Sequence, residues 1–211
     1  MLTAVGLGFL LGVRHAFDAD HVIAVSTLVT RHRSPWTASW VGASWGIGHA
    51  LMILGVGALV IGLRVAVPDR FVAGAELGVG LLLVALGAVN LVAVGRSRRS
   101  GAAVAERPIR RTLASSGAVG LAHGLAGSGA LALLATAAMP TPATAIAYLV
   151  VFGIGTVFGM VAISVALGAP LAAAGNADAW RTRLTAGAGL ASVALGLWLI
   201  HRVGFVAGLL A

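Results

Sequence analysis

Residues 2–30, LTAVGLGFLLGVRHAFDADHVIAVSTLVT, decide how the rest of the chain is to be read. At about 1.5 Å per residue the stretch is long enough to cross a hydrocarbon layer of about 30 Å, and it is apolar at both ends. Yet Arg14, His15, Asp18, Asp20 and His21 interrupt its middle. An ionisable side chain at membrane depth costs about 3 kcal/mol on insertion scales, so a plain anchor would not carry such a group of them. The stretch therefore predicts a membrane helix with work to do.

Similar apolar stretches follow at 36–63, 71–95, 112–138, 141–168 and 184–200, the last with an apolar continuation to 211. Of the 211 residues 59% are apolar and 9% charged, and the mean hydropathy is +1.02. A water-soluble core cannot absorb that composition, which leaves an all-α membrane protein of six spans. The first span has no basic start, and it leads into RHAFDADH instead of a small-residue cleavage site, so it is expected to stay in the mature protein. With no cysteine, disulfides and thiolate metal sites are excluded. All 14 basic residues are arginine, and the lack of lysine excludes a Walker A loop and a lysine Schiff base.

The net charge of +8 does not point to nucleic acid, because the arginines cluster between apolar spans. Arg31, Arg33, Arg96, Arg98, Arg99, Arg107, Arg110, Arg111, Arg181 and Arg183 follow spans 1, 3 and 5, whereas Arg64, Arg70 and Arg202 lie on the other side. By the positive-inside rule the first set is cytoplasmic, and both termini face outward.

The halves match at a shift of about 108 residues. Gly12-Val13-Arg14-His15 falls on Gly120-Leu121-Ala122-His123, and Trp45-Gly46-Ile47-Gly48 on Phe152-Gly153-Ile154-Gly155. Val84-Ala85-Leu86-Gly87 falls on Val193-Ala194-Leu195-Gly196. A unit of three spans has an odd number of crossings, so its second copy must run the opposite way through the membrane. The expected organisation is two inverted three-helix repeats, 1–95 and 112–211, joined by an arginine-rich cytoplasmic loop at 96–111. Secondary transporters are often built like this, with a midplane site between the copies.

The intramembrane polar residues point to the same place. On an intact helix Asp18 would share a face with His15 and His21, with Asp20 pointing elsewhere; a helix opened near Ala19 would bring in Asp20 and freed carbonyls. Span 2 adds His49, and span 4 adds His123, the counterpart of His15. Imidazole nitrogen with carboxylate oxygen suits nickel, cobalt or zinc, whereas an all-oxygen set would suit magnesium or calcium. The competing reading is a self-satisfied salt-bridge lock between Arg14 and an aspartate. Glu76 and Asn90 are expected to be interhelical hydrogen bonders ahead of pathway groups, and His32 and His201, at span ends, to be solvated.

His15-Ala16-Phe17-Asp18-Ala19-Asp20-His21 resembles the signature of the nickel/cobalt transporter family, a histidine, four residues, then aspartate and histidine. Gly46-Ile47-Gly48-His49 looks like that family's second motif, and the run from His123 to Leu131 resembles its short, six-span, urease-accessory-type branch. The resemblance implies His15, Asp20 and His21 as first-choice metal residues, with His49 next. Longer members have two further spans and an acidic motif where this chain has a neutral glycine-rich run.

Together these readings predict a multi-pass transporter of the bacterial cytoplasmic membrane, importing nickel or cobalt through His15, Asp18, Asp20, His21, His49 and His123. The metal is its substrate, and neither a resident cofactor nor enzymatic activity is expected. Its partners are the ion and the bilayer, with a homo-oligomer left open. The alternatives are a small-anion exporter using Arg14, an intramembrane metal enzyme, and a structural accessory subunit.

Overall fold

The computed structural model describes residues 2–32, 34–64, 67–124, 126, 135–136, 139–173 and 178–206, and among them there are helices and no strands. The helices are α1 (Leu2–Ala16), α2 (Ala19–Val29), α3 (Pro35–Leu63), α4 (Asp69–Ser100), α5 (Ile109–His123), α6 (Pro142–Ala173) and α7 (Asp178–His201), which ends in a π-turn, Arg202–Val206. Four of them, α3, α4, α6 and α7, are long and apolar enough to cross a membrane. They begin and end on local chemistry. Ser34 caps α3 by accepting from the Thr37 N–H, Pro35 opens it, and Gly101 closes α4 in the left-handed region at φ 68°.

The first expected span is two helices instead of one. Phe17 and Asp18 interrupt it, with Asp18 extended at φ −60°, ψ 144° and α2 restarting at Ala19. The opening lies a residue or two before the position anticipated. Span 4 follows its expected course as α5 through His123, and most of its remainder lies outside the described residues, as do residues 207–211 of the last span. The loop expected at 96–111 is shorter. Helices α4 and α5 run on through Ser100 and from Ile109, so five of its six arginines ride on helix ends and Arg107 alone lies between them.

Packing is helix on helix: α3 against α6 and α5, α4 against α7, and α1 against α6. Glycine permits the closest approaches. A Cβ on Gly12 would overlap the Phe152 carbonyl, and one on Gly120 the Trp45 carbonyl; Gly48 meets the Gly117 carbonyl as Gly155 meets that of Phe9. Each pair maps onto its mate at the shift of about 108 residues seen between the halves. Trp45, Val41, Met160, Val25 and Val29 fill the space between α2, α3 and α6. The outer faces carry large apolar side chains, Leu59, Leu81, Phe158 and Leu190 among them, each at least half exposed, which suits a lipid surround.

The arginine-rich end is less solvated than the sequence suggested. His32, expected in solvent, is buried, its Nε2 3.2 Å from Thr112 Oγ1. Arg31 and Arg181 are buried as well. Arg31 Nη2 donates to the Val89 carbonyl, and Arg181 Nη2 donates to the Arg31 carbonyl, both at 3.1 Å. Arg181 also pairs with Glu106 and Asp178. Backbone acceptors and carboxylates at that end let the guanidinium groups leave water. His201, by contrast, is exposed, as expected.

Candidate metal centre

The break after Ala16 builds the site. Asp18 occupies the N-cap position of α2, a place that favours aspartate, and its carbonyl accepts the first helical bond, from Val22 N–H at 3.0 Å. Its carboxylate is not spent on the cap. It turns back to His15, with Oδ2 3.0 Å from Nδ1. The freed His15 carbonyl accepts from the Asp18 N–H and from His21 Nδ1, each at 3.0 Å. A turn at Phe17 followed by extended Asp18 thus folds the end of α1 onto the start of α2.

Four imidazoles meet there, from α1 (His15), α2 (His21), α3 (His49) and α5 (His123), and all are buried. His15 Nε2 lies 2.7 Å from His49 Nε2. The His21 ring centroid is 4.6 Å from that of His15, 5.0 Å from His49 and 5.8 Å from His123. One donor atom from each of His15, His21 and His49 lies within 4.8 Å of the others, and so does one from each of Asp18, Asp20 and His21. His21 belongs to both groups. His123 stands beside His21 and outside both.

Hydrogen bonds select the tautomers. Nδ1 of His15 faces a carboxylate, while Nδ1 of His21 and of His123 face the carbonyls of His15 and Val119, so each Nδ1 carries the proton and each Nε2 the lone pair. Nε2 of His21 and of His123 is buried without a hydrogen-bond partner. Orientation of a ligating imidazole through its other nitrogen is the usual support around a metal. Asp18 gives that support to His15, whereas Asp20 Oδ1 lies 3.9 Å from His21 Nδ1.

Sequence reasoning missed the walls of the site. The Trp45 ring stacks on His49 at 4.9 Å and 13° and meets His21 edge-on at 4.7 Å, while Phe152 lies 5.2 Å from His15. Trp45 and Phe152 occupy equivalent positions in the internal match, and that equivalence was the signal available. Asn90 and Glu76 bond between helices as expected: Asn90 Nδ2 donates to the Thr27 carbonyl at 2.9 Å, and Glu76 accepts from Arg202 at 2.9 Å. Arg14 is exposed. A cavity of about 270 Å³ opens beside the cluster, lined by Asp18, Asp20, Glu76, Val79, Leu199 and Arg202 among others.

Over 99% of its length this chain is 29% identical to urease accessory protein UreH of Bacillus sp. (strain TB-90), and the match covers 95% of that protein. The family likeness drawn from the motifs is borne out. The chain is also 34% identical over 97 residues to nickel transporter NixA of Staphylococcus aureus (strain NCTC 8325 / PS 47), a match covering 41% of this chain and 28% of that one. No family model matches, and no solved structure does. With relatives named for accessory and transport roles, and with its apolar helices, the chain is a multi-pass bacterial membrane protein.

Proposed function

We propose that this protein is a secondary transporter that carries divalent nickel, and cobalt by the same chemistry, into the cell. Its site is formed by His15, Asp18, Asp20, His21 and His49, with His123 adjoining. The observation that carries the reading is the convergence of four imidazoles from four helices deep in the protein, three of them with an unpartnered ring nitrogen. Nitrogen donors with nearby carboxylate oxygen suit these ions better than magnesium or calcium. The similarity to NixA, a nickel transporter, supports the same substrate.

In this reading His15, His21 and His49 hold the ion through nitrogen, Asp20 supplies oxygen and part of the neutralising charge, and Asp18 holds the His15 ring. The exposed position of Arg14 weighs against an anion site.

The framework we infer is two inverted three-helix repeats, 1–95 and 112–211, with both termini outside. It is supported by the reciprocal glycine-to-carbonyl contacts between the halves. The membrane potential then drives the cation inward, supplying about 2.3 kcal/mol per charge per 100 mV.

The test is the nickel carried by purified protein, measured by mass spectrometry for the parent chain and for the His15→Ala, His21→Ala double variant. Nickel is expected with the parent chain and background with the variant. Equal metal in both removes the site assignment.

A further inference from the structure

The cavity beside the cluster is lined by oxygen donors and apolar side chains. Asp18, Asp20 and Glu76 bring three carboxylates to it, and Val79, Leu195 and Leu199 form its apolar wall. Three carboxylates in one cavity of about 270 Å³ offer the all-oxygen surroundings that magnesium and calcium prefer. A guanidinium is already there. Arg202 Nη2 lies 2.9 Å from Glu76 Oε2, joining the π-turn to α4, and the same group sits 5.0 Å from the centre of the Trp198 ring. Two independent contacts therefore hold one positive charge among the carboxylates.

We propose that Arg202, held by Glu76 and laid against Trp198, is a tethered cation that keeps oxygen-seeking divalent ions out of the carboxylate-lined vestibule leading to the histidines. This rests on the transport reading above and adds a specificity residue to it. The physical reason lies in what each ion recovers. To settle among the carboxylates an incoming ion must displace a guanidinium from a charge-assisted hydrogen bond and a ring face. Magnesium or calcium would gain only oxygen contacts, which water already supplies. A nickel ion at the inner end meets His21, whose donor atom lies within 4.8 Å of those of Asp18 and Asp20, and gains nitrogen ligation. The gate then discriminates by ligand preference, since all these ions carry the same charge.

The experiment measures uptake of radiolabelled nickel into proteoliposomes with increasing magnesium or calcium outside, alongside nickel binding by the same preparations. Arg202→Gln should make uptake sensitive to magnesium at concentrations about tenfold lower than the parent chain requires, with nickel binding retained. Arg202→Lys, which keeps the charge, should resemble the parent chain, and Glu76→Gln combined with Arg202→Gln should restore most of the resistance by removing a carboxylate. Arg202→Met, which keeps contact with Trp198, gives the same reading if the glutamine variant does not fold. Unchanged magnesium and calcium sensitivity in variants that bind nickel overturns the tethered-cation proposal alone. Absence of nickel binding by the parent chain overturns the transport reading on which it stands.

Discussion

His15 and His21 are six residues apart, and their rings are 4.6 Å apart at the centroids because the helix stops between them. The sequence displayed the donors plainly, since histidines and aspartates in an apolar span have few other uses. It left the division of labour between the two aspartates open, because that depends on where the chain leaves the helix. With Asp18 as N-cap, its carboxylate supports a ring, and Asp20 is the better placed to touch an ion. Asp18→Asn is accordingly expected to weaken nickel binding by about 10–100-fold, the usual loss for a supporting partner, while Asp20→Asn costs more. Titration calorimetry of the purified variants measures both, and the reverse order would exchange their roles. Trp45 was illegible as a site residue because a tryptophan in a membrane helix is ordinarily packing, and its edge-on contact with His21 depends on how α3 faces α2.

At the scale of the helices, glycine sets how closely they cross. A side chain at Gly12 must overlap the Phe152 carbonyl, whereas Gly74 faces open space. Gly12→Val should therefore lose about 1–3 kcal/mol or more and much of its folded yield, and Gly74→Ala should match the parent chain, both read by size-exclusion chromatography in mild detergent. The ends of the helices hold a second testable feature. Burial holds His32 below its ordinary pKa of 6.5, against the pull of Glu106 and with Arg181, Arg31 and Arg107 reinforcing the effect. The unfolded chain then takes up the proton first, and stability falls as pH drops below about 6.5. The melting temperature should decline between pH 7.5 and 5.5, and His32→Gln should flatten that decline. The four long apolar helices were legible from apolar length alone. The burial of His32, Arg31 and Arg181 was not, because hydropathy treats a charged residue at a span end as solvated and cannot register a carbonyl waiting for it on another helix.

For the molecule as a whole, the distribution of arginine predicts which ends of the helices face the cytoplasm, and the cysteine-free sequence makes a direct check simple. A single cysteine at Arg64 should react with a membrane-impermeant maleimide in intact cells, and one at Gly101 only after lysis. The opposite pattern would invert the orientation and turn the vestibule toward the cytoplasm. The helical membrane class was legible because apolar length declares it before any contact is known, whereas the vestibule and its Glu76–Arg202 pair appear only once α4 and α7 are packed together. The two-residue interruption at Phe17 and Asp18 has a mechanical consequence. If the cluster holds an ion as proposed, donors on either side of the interruption belong to different rigid rods, so the angle between those rods would fix the bite of the chelate. Tilting one rod against the other would spread the jaws and let the ion go.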